Sequence, residues 1–358
     1  CITDLVNYLN NNLIIAHYCG FNIIKPLPSY WTFDRFIRKL DNTLLKKLMQ
    51  SQVLKLSEMG FIDTSFIALD STPVNANTRH NNPKSFTKNK FSKDNQPKSD
   101  NDCGLGVHTA SNQHNERNFE YYWGYKNHIL VNFITGLPIY ELTTSANVSD
   151  STVALDILSQ TNSFLSVDEC TFLADKGYDV KAIYNTVKEL YHGDCIIPLN
   201  KRNTKDHKKL AGGHPICEAG LAMHKDGRFS DNGRTRQKYC CPLKSSRCVS
   251  CPCDHKNWNN GKKHRGCTKY VTVPDDYRLS IDRECISFKK LYALRTEAER
   301  YNSRFKQTGQ ERLWVHSFNA AQNLNSVAHI ALLAVALAAI VTKSNSSYRC
   351  LKSVKRTA

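Results

Sequence analysis

Tyr292-Ala293-Leu294-Arg295-Thr296-Glu297-Ala298-Glu299-Arg300-Tyr301-Asn302-Ser303-Arg304-Phe305-Lys306 is the stretch from which the rest of the chain can be read. Apolar residues recur through it at helical spacing, and the pattern predicts one helix over 287–307. Tyr292, Arg295, Glu299 and Lys306 follow one another at intervals of 3, 4 and 7 residues. At about 100° per residue, the last three lie about 300°, 340° and 320° around the helix from Tyr292, so all four share a stripe about 60° wide. One acid, two bases and a phenol make up a face suited to phosphate and metal. The same residues also describe a solvated salt-bridge stripe, because Arg295 and Glu299 form an ordinary i,i+4 pair.

Two acids elsewhere follow apolar, strand-like runs. Phe66-Ile67-Ala68-Leu69 leads into Asp70, and Thr171-Phe172-Leu173-Ala174 leads into Asp175. Each run predicts a buried strand that delivers a carboxylate at its end. Singly, such an Asp more often serves as a turn or helix cap; as a pair on neighbouring strands, the two suit a hard cation. Between them, Tyr121–Phe133 and Leu137–Thr143 flank the Thr135-Gly136 turn and predict a hairpin. Helices are expected over 150–158, 180–191 and 320–341, with a further strand over 195–199. The order describes a mixed α/β layout, antiparallel strands first and crossovers after.

The chain has 358 residues, enough for about two domains, and a net charge of +17 that argues for a polyanionic partner. Residues 1–60 read as a small helical segment with one basic side (Arg35, Arg38, Lys39). Residues 77–118 are Asn-, Lys- and Ser-rich and read as a long mobile loop. The apolar run Val327–Val341 is shorter than the roughly 20 residues a membrane span needs and reads as a buried helix. No secretory signal precedes the fourteen cysteines, which points to a reducing compartment where clustered thiols bind metal more often than they pair. The chain opens on Cys1 and not Met, as a piece of a longer reading frame would.

The spacing Tyr292-x2-Arg295-x3-Glu299-x6-Lys306 resembles the signature of the DDE transposases of bacterial insertion sequences, in their IS4/IS5/IS1182-like branch. Further segments are similar to the same superfamily and come in the expected order. They are Pro28-Ser29-Tyr30-Trp31-Thr32-Phe33-Asp34-Arg35-Phe36, Leu69-Asp70-Ser71-Thr72-Pro73-Val74-Asn75-Ala76-Asn77, Gly124-Tyr125-Lys126-Asn127-His128, Ala146-Asn147-Val148-Ser149-Asp150-Ser151-Thr152 and Ala174-Asp175-Lys176-Gly177-Tyr178-Asp179. One departure is Asp70-Ser71-Thr72, where many relatives have Asp-Gly-Thr. The resemblance covers residues 28–200 and 285–325. It implies an RNase H-like α/β fold, a mixed sheet flanked by helices, with residues 61–199 and 286–345 forming the catalytic domain and 346–358 a basic tail.

The resemblance also implies a site. Asp70, Asp175 and Glu299 would be the catalytic acids and the ligands of two Mg²⁺ ions, for which Mn²⁺ can substitute. Tyr292, Arg295, Lys306 and Lys126 would bind DNA phosphate, with Lys126 and His128 on a strand facing the site. The partner would be double-stranded DNA, both transposon ends and target, bound by a homodimer in the bacterial cytoplasm on the nucleoid. The reaction would be cleavage at the ends followed by strand transfer. The alternatives are a nuclease of the same fold without strand transfer, or an inactive, basic, zinc-dependent DNA-binding remnant.

Residues 200–285 read as an insertion in that domain. They carry more than half of the net positive charge and eight of the fourteen cysteines. Cys248-Val249-Ser250-Cys251 is a C-x2-C knuckle, and the preferred set for a structural Zn²⁺ is Cys217, Cys241, Cys248 and Cys251. Of the four tryptophans, Trp123 and Trp314 read as core and Trp258 as the best candidate to stack on a base.

Overall fold

The computed structural model describes residues 1–111, 117–200, 214–243, 252, 266–272, 277–343 and 348–350. The chain divides into two compact units, residues 1–167 with 296–358, and residues 168–295.

The first unit begins with helices α1 (Ile2–Asn11), α2 (Leu13–Tyr18), α3 (Tyr30–Lys39) and α4 (Asn42–Glu58). Asp41 caps α4 by accepting from the Thr43 amide at 3.0 Å. Met49, Val53 and Leu56, at i, i+4 and i+7, bury one face of that helix. Gly60 ends it with φ +77°, and the Phe61 amide returns to the Leu56 carbonyl. Arg35, Arg38 and Lys39 on α3 are exposed, as the basic side predicts.

Strands β1 (Phe66–Asn75), β2 (Gly104–Ser111), β3 (Arg117–Asn132) and β4 (Pro138–Ser145) follow. β3 is long enough to serve three partners, all antiparallel: β2 along its first half, and β1 and β4 along its second. Gly124 stands where β1 and β2 both meet β3. A Cβ there would come within 2.2 Å of the Val74 carbonyl oxygen, so only glycine fits the approach. β1 continues five residues past Asp70, which therefore sits within the strand and not at its end.

The stretch over 77–118 departs from the loop reading. It holds a 3₁₀ turn at Arg79–Asn81 and all of β2. Its polar side chains cap the sheet. Asn81 exchanges hydrogen bonds with the Trp123 backbone, the Trp123 indole donates to the Lys90 carbonyl, and the Tyr125 hydroxyl donates to buried Asp100.

Helix α5 (Asp150–Asn162) packs on β4 and β3. Successive strand residues face opposite ways, and Tyr140 meets Phe164, just beyond α5, while Glu141 faces the late helices.

In the second unit, β5 (Thr171–Ala174) and β6 (Asp194–Ile196) pair in parallel. The crossover between them is α6 (Lys181–Asn185), continued by a π turn to Leu190. A three-stranded antiparallel sheet follows: β7 (His224–Asp231), β8 (Arg234–Cys240) and β9 (Thr268–Thr272). Asn232 and Gly233 join the first two, both at positive φ. Cys217, Met223, Tyr239, Cys241 and Cys267 form its small buried core. Short helix α7 (Tyr277–Ser280) and α8 (Ile286–Ala293) complete the unit.

The chain returns to the first unit as α9 (Thr296–Phe305), a π turn at Lys306–Gln310 and α10 (Phe318–Val341). α10 is, among the described residues, the one helix long and apolar enough to cross a membrane. It also carries Asn323, Asn325, Ser326 and His329, all buried and all hydrogen-bonded. The antiparallel strands of one unit and the parallel pair of the other, with their helices, make the mixed α/β class expected.

Candidate active site

Asp70 pairs across β1 and β3 with Ile129, which pairs in turn with Glu141 on β4. These three positions share one sheet face. Helix α9 packs on that face, and its Asn302 amide donates to Asp70 Oδ2 at 2.9 Å. Glu299 lies one turn before Asn302 on α9 and is exposed. The residues i and i+3 of a helix are surface neighbours, so one acid stands on the strand and one on the helix seated over it. Lys306 opens the π turn after α9, half-buried, with its ammonium 3.5 Å from Glu311.

The helical stripe is not carried by one helix. α8 ends at Ala293, and a turn at Leu294-Arg295 separates it from α9. Tyr292 lies before the break, Arg295 within it, and Glu299 and Lys306 after it. Tyr292 stacks on Phe288, and the Arg295 guanidinium lies over the Tyr292 ring at 5.8 Å.

Asp175 follows β5 at the place predicted, and it also caps the next turn, accepting from the Gly177 amide at 2.6 Å. The segment after it is held from below by buried Arg283, which donates to the Ile197 carbonyl and the Tyr184 hydroxyl. Tyr184 itself donates to Asp179.

Lys126 and His128 face away from Asp70. They pair with Pro73 and Ser71, on the opposite side of the sheet. Lys126 donates to the Val148 carbonyl and to Asp150 Oδ1, both at 2.9 Å, and so holds the start of α5. His128 is fully buried. Its own burial pushes its pKa down to about 4, against the pull of Asp150.

A polar chain lies beneath α9. Tyr301 donates to His329 Nδ1 at 2.5 Å, and His329 Nε2 donates to Asn127 Oδ1 at 2.9 Å. Asn127 donates to Glu141 Oε2, while Ser326 and Lys46 donate to Glu141 Oε1. The His329 ring is stacked between Tyr301 and Phe305, the latter 4.5 Å away. Burial lowers His329 to about 4, which keeps it neutral and able to accept from Tyr301. Desolvation raises Glu141, but the Lys46 ammonium and the hydrogen bonds from Lys46 and Ser326 outweigh it and hold it ionised. None of Asn302, Tyr301, Asn127 and His329 was singled out from the sequence. Asn127 does lie in one of the family-like segments, and Asn302 at i+3 from Glu299 was the available signal.

Among the predicted zinc ligands, Cys217 and Cys241 are buried together with Cys267, whereas Cys248 and Cys251 lie outside the described residues. Among the described residues no group of three or more His, Cys, Asp or Glu side chains is placed to hold a metal ion. Trp123 is core, as expected. Trp314 is not. It lies 65% exposed on the connection to α10, whose apolar anchors are Leu313 and Val315. Trp258 lies outside the described residues.

The family model described as the transposase DDE domain matches residues 62–334, most of the chain. The chain belongs to this family. Its members generally use divalent metal ions. No curated protein matches. Among solved structures, the piggyBac transposase synaptic complex with hairpin DNA is 11% identical, over 86% of this chain and 56% of that one, with a TM-score of 0.34. The chain thus spans little more than half the length of that transposase. The Mos1 strand transfer complex is 13% identical over 44% of this chain and 42% of that one, with a TM-score of 0.20.

Proposed function

We propose that this protein is a DNA transposase that cuts at the ends of its element and joins the freed 3′-hydroxyls to target DNA. The observation that carries the reading is Asp70 within β1, with the helix bearing Glu299 seated on the same sheet face, in a chain of the DDE family. Asp175, the acid that follows β5 in its family-like segment, is the third acid of this proposal. The donors fit hard divalent cations, being carboxylates throughout. Beside Asp70, the Asn302 carbonyl oxygen Oδ1 is buried and without a hydrogen-bond partner. Mg²⁺ ions, for which Mn²⁺ can substitute, supply charge neutralisation and activation of the attacking oxygen when bound.

The chain's own residues bind and orient. Arg295 and Lys306 are the fixed cations for the scissile phosphate, and the Tyr292 hydroxyl is a donor to its oxygen. The remaining positive charge, much of it within 200–285, neutralises DNA backbone without reading sequence. Lys126 is held by Asp150 and is a support of α5 in this reading. A structural Zn²⁺ on Cys217, Cys241, Cys248 and Cys251, a homodimer on DNA, and a nucleoid location in the bacterial cytoplasm belong to the same proposal.

The test uses a donor DNA carrying the coding sequence with its natural flanks, together with a supercoiled target plasmid and Mg²⁺. Joined donor–target products support transposition. Nicks or double-strand cuts without joining would make the protein a nuclease of this family.

A further inference from the structure

Asn302 stands on the buried face of α9 among Ala298, Tyr301 and Phe305, only 9% exposed. An amide in that position costs desolvation on both of its ends. One end is recovered, since Nδ2 donates to Asp70 Oδ2 at 2.9 Å. The other is not, because Oδ1 has no partner. A leucine would fill much the same volume without leaving a buried acceptor unsatisfied. The amide's two ends do different things for the acid beside it. The NH₂ group occupies one carboxylate oxygen of Asp70 and fixes the plane of the group. The carbonyl is closed off from solvent and left without a donor.

From this geometry we infer that Asn302 is a positioning residue, which holds Asp70 in the orientation that takes a divalent cation. The inference rests on Asp70 being a metal ligand. It assigns to α9 a second function besides carrying Glu299.

The experiment is a calorimetric titration of the full chain with Mn²⁺, paired with thermal melting with and without the ion. Wild type, Asp70→Asn, Asn302→Leu and Asn302→Asp are compared. Asn302→Leu is expected to weaken Mn²⁺ binding about 10–100-fold, the usual effect of removing an outer-shell partner. Its melting temperature without metal should be unchanged or higher. Asn302→Asp should melt lower without metal, because it sets two carboxylates against each other, and should gain more than wild type when Mn²⁺ is added. Should the leucine variant not fold, that enlarged gain carries the test alone. Wild-type affinity in Asn302→Leu, or no added gain in Asn302→Asp, overturns the inference. No Mn²⁺ binding by wild type, or undiminished binding by Asp70→Asn, overturns the metal site on which it rests.

Discussion

His329 and His128 are the two histidines whose burial changes their protonation. Both are buried, and burial holds both near pKa 4 against about 6.5 in the unfolded chain. A proton therefore binds the unfolded state first, and stability rises with pH between those values. Above about pH 6.5 the full stability is present, and it is lost as pH falls from there toward about 4. Each group contributes a slope of about 1.4 kcal/mol per pH unit within the window. Urea denaturation at pH 7.5, 6.0 and 5.0 should show that decline, and His128→Gln should roughly halve it. A midpoint that does not move between pH 7.5 and 5.0 contradicts the buried neutral imidazoles.

Among the elements, α4 ties the N-terminal helical segment to the core of its unit. Lys46 reaches from it to Glu141 on β4, nearly closed off from solvent, so that this helix belongs to the core beneath the candidate site. Lys46→Met leaves a buried carboxylate without its cation and should cost about 3–5 kcal/mol. Lys46→Met with Glu141→Gln should recover much of that loss, as read from chemical denaturation. The elements that were legible in the sequence are those where a periodic apolar pattern met a turn signal, such as β5 or the β3–β4 hairpin around Gly136. The α8–α9 break was not legible, because Leu294 and Arg295 are good helix formers and no glycine or proline marks the turn. β2 was hidden in a stretch whose polar side chains bond to the backbone. The β7–β8 hairpin did carry a readable sign, Asp231-Asn232-Gly233-Arg234, inside a block dominated by its cysteines. The three acids were legible through the family-like spacing. Asn302 and the chain beneath it were not, since a buried hydrogen bond between residues 232 positions apart leaves no periodic trace.

For the molecule as a whole, the cysteine-rich block and the acids make separable claims. A structural Zn²⁺ predicts about one zinc per chain by mass spectrometry after purification without chelators. Cys241→Ser should lose that zinc, and Cys285→Ser should keep it. A protein that folds and contains no zinc excludes the site. The acids make the central claim, and the most direct measurement is Mg²⁺-dependent cleavage of flanked donor DNA by wild type, Asp70→Asn, Asp175→Asn and Glu299→Gln, with DNA binding measured in parallel. Each variant is predicted to bind DNA as wild type does and to lose cleavage by at least about a thousandfold. Cleavage retained by Glu299→Gln would contradict the account, and would leave Glu299 as one member of a surface charge stripe.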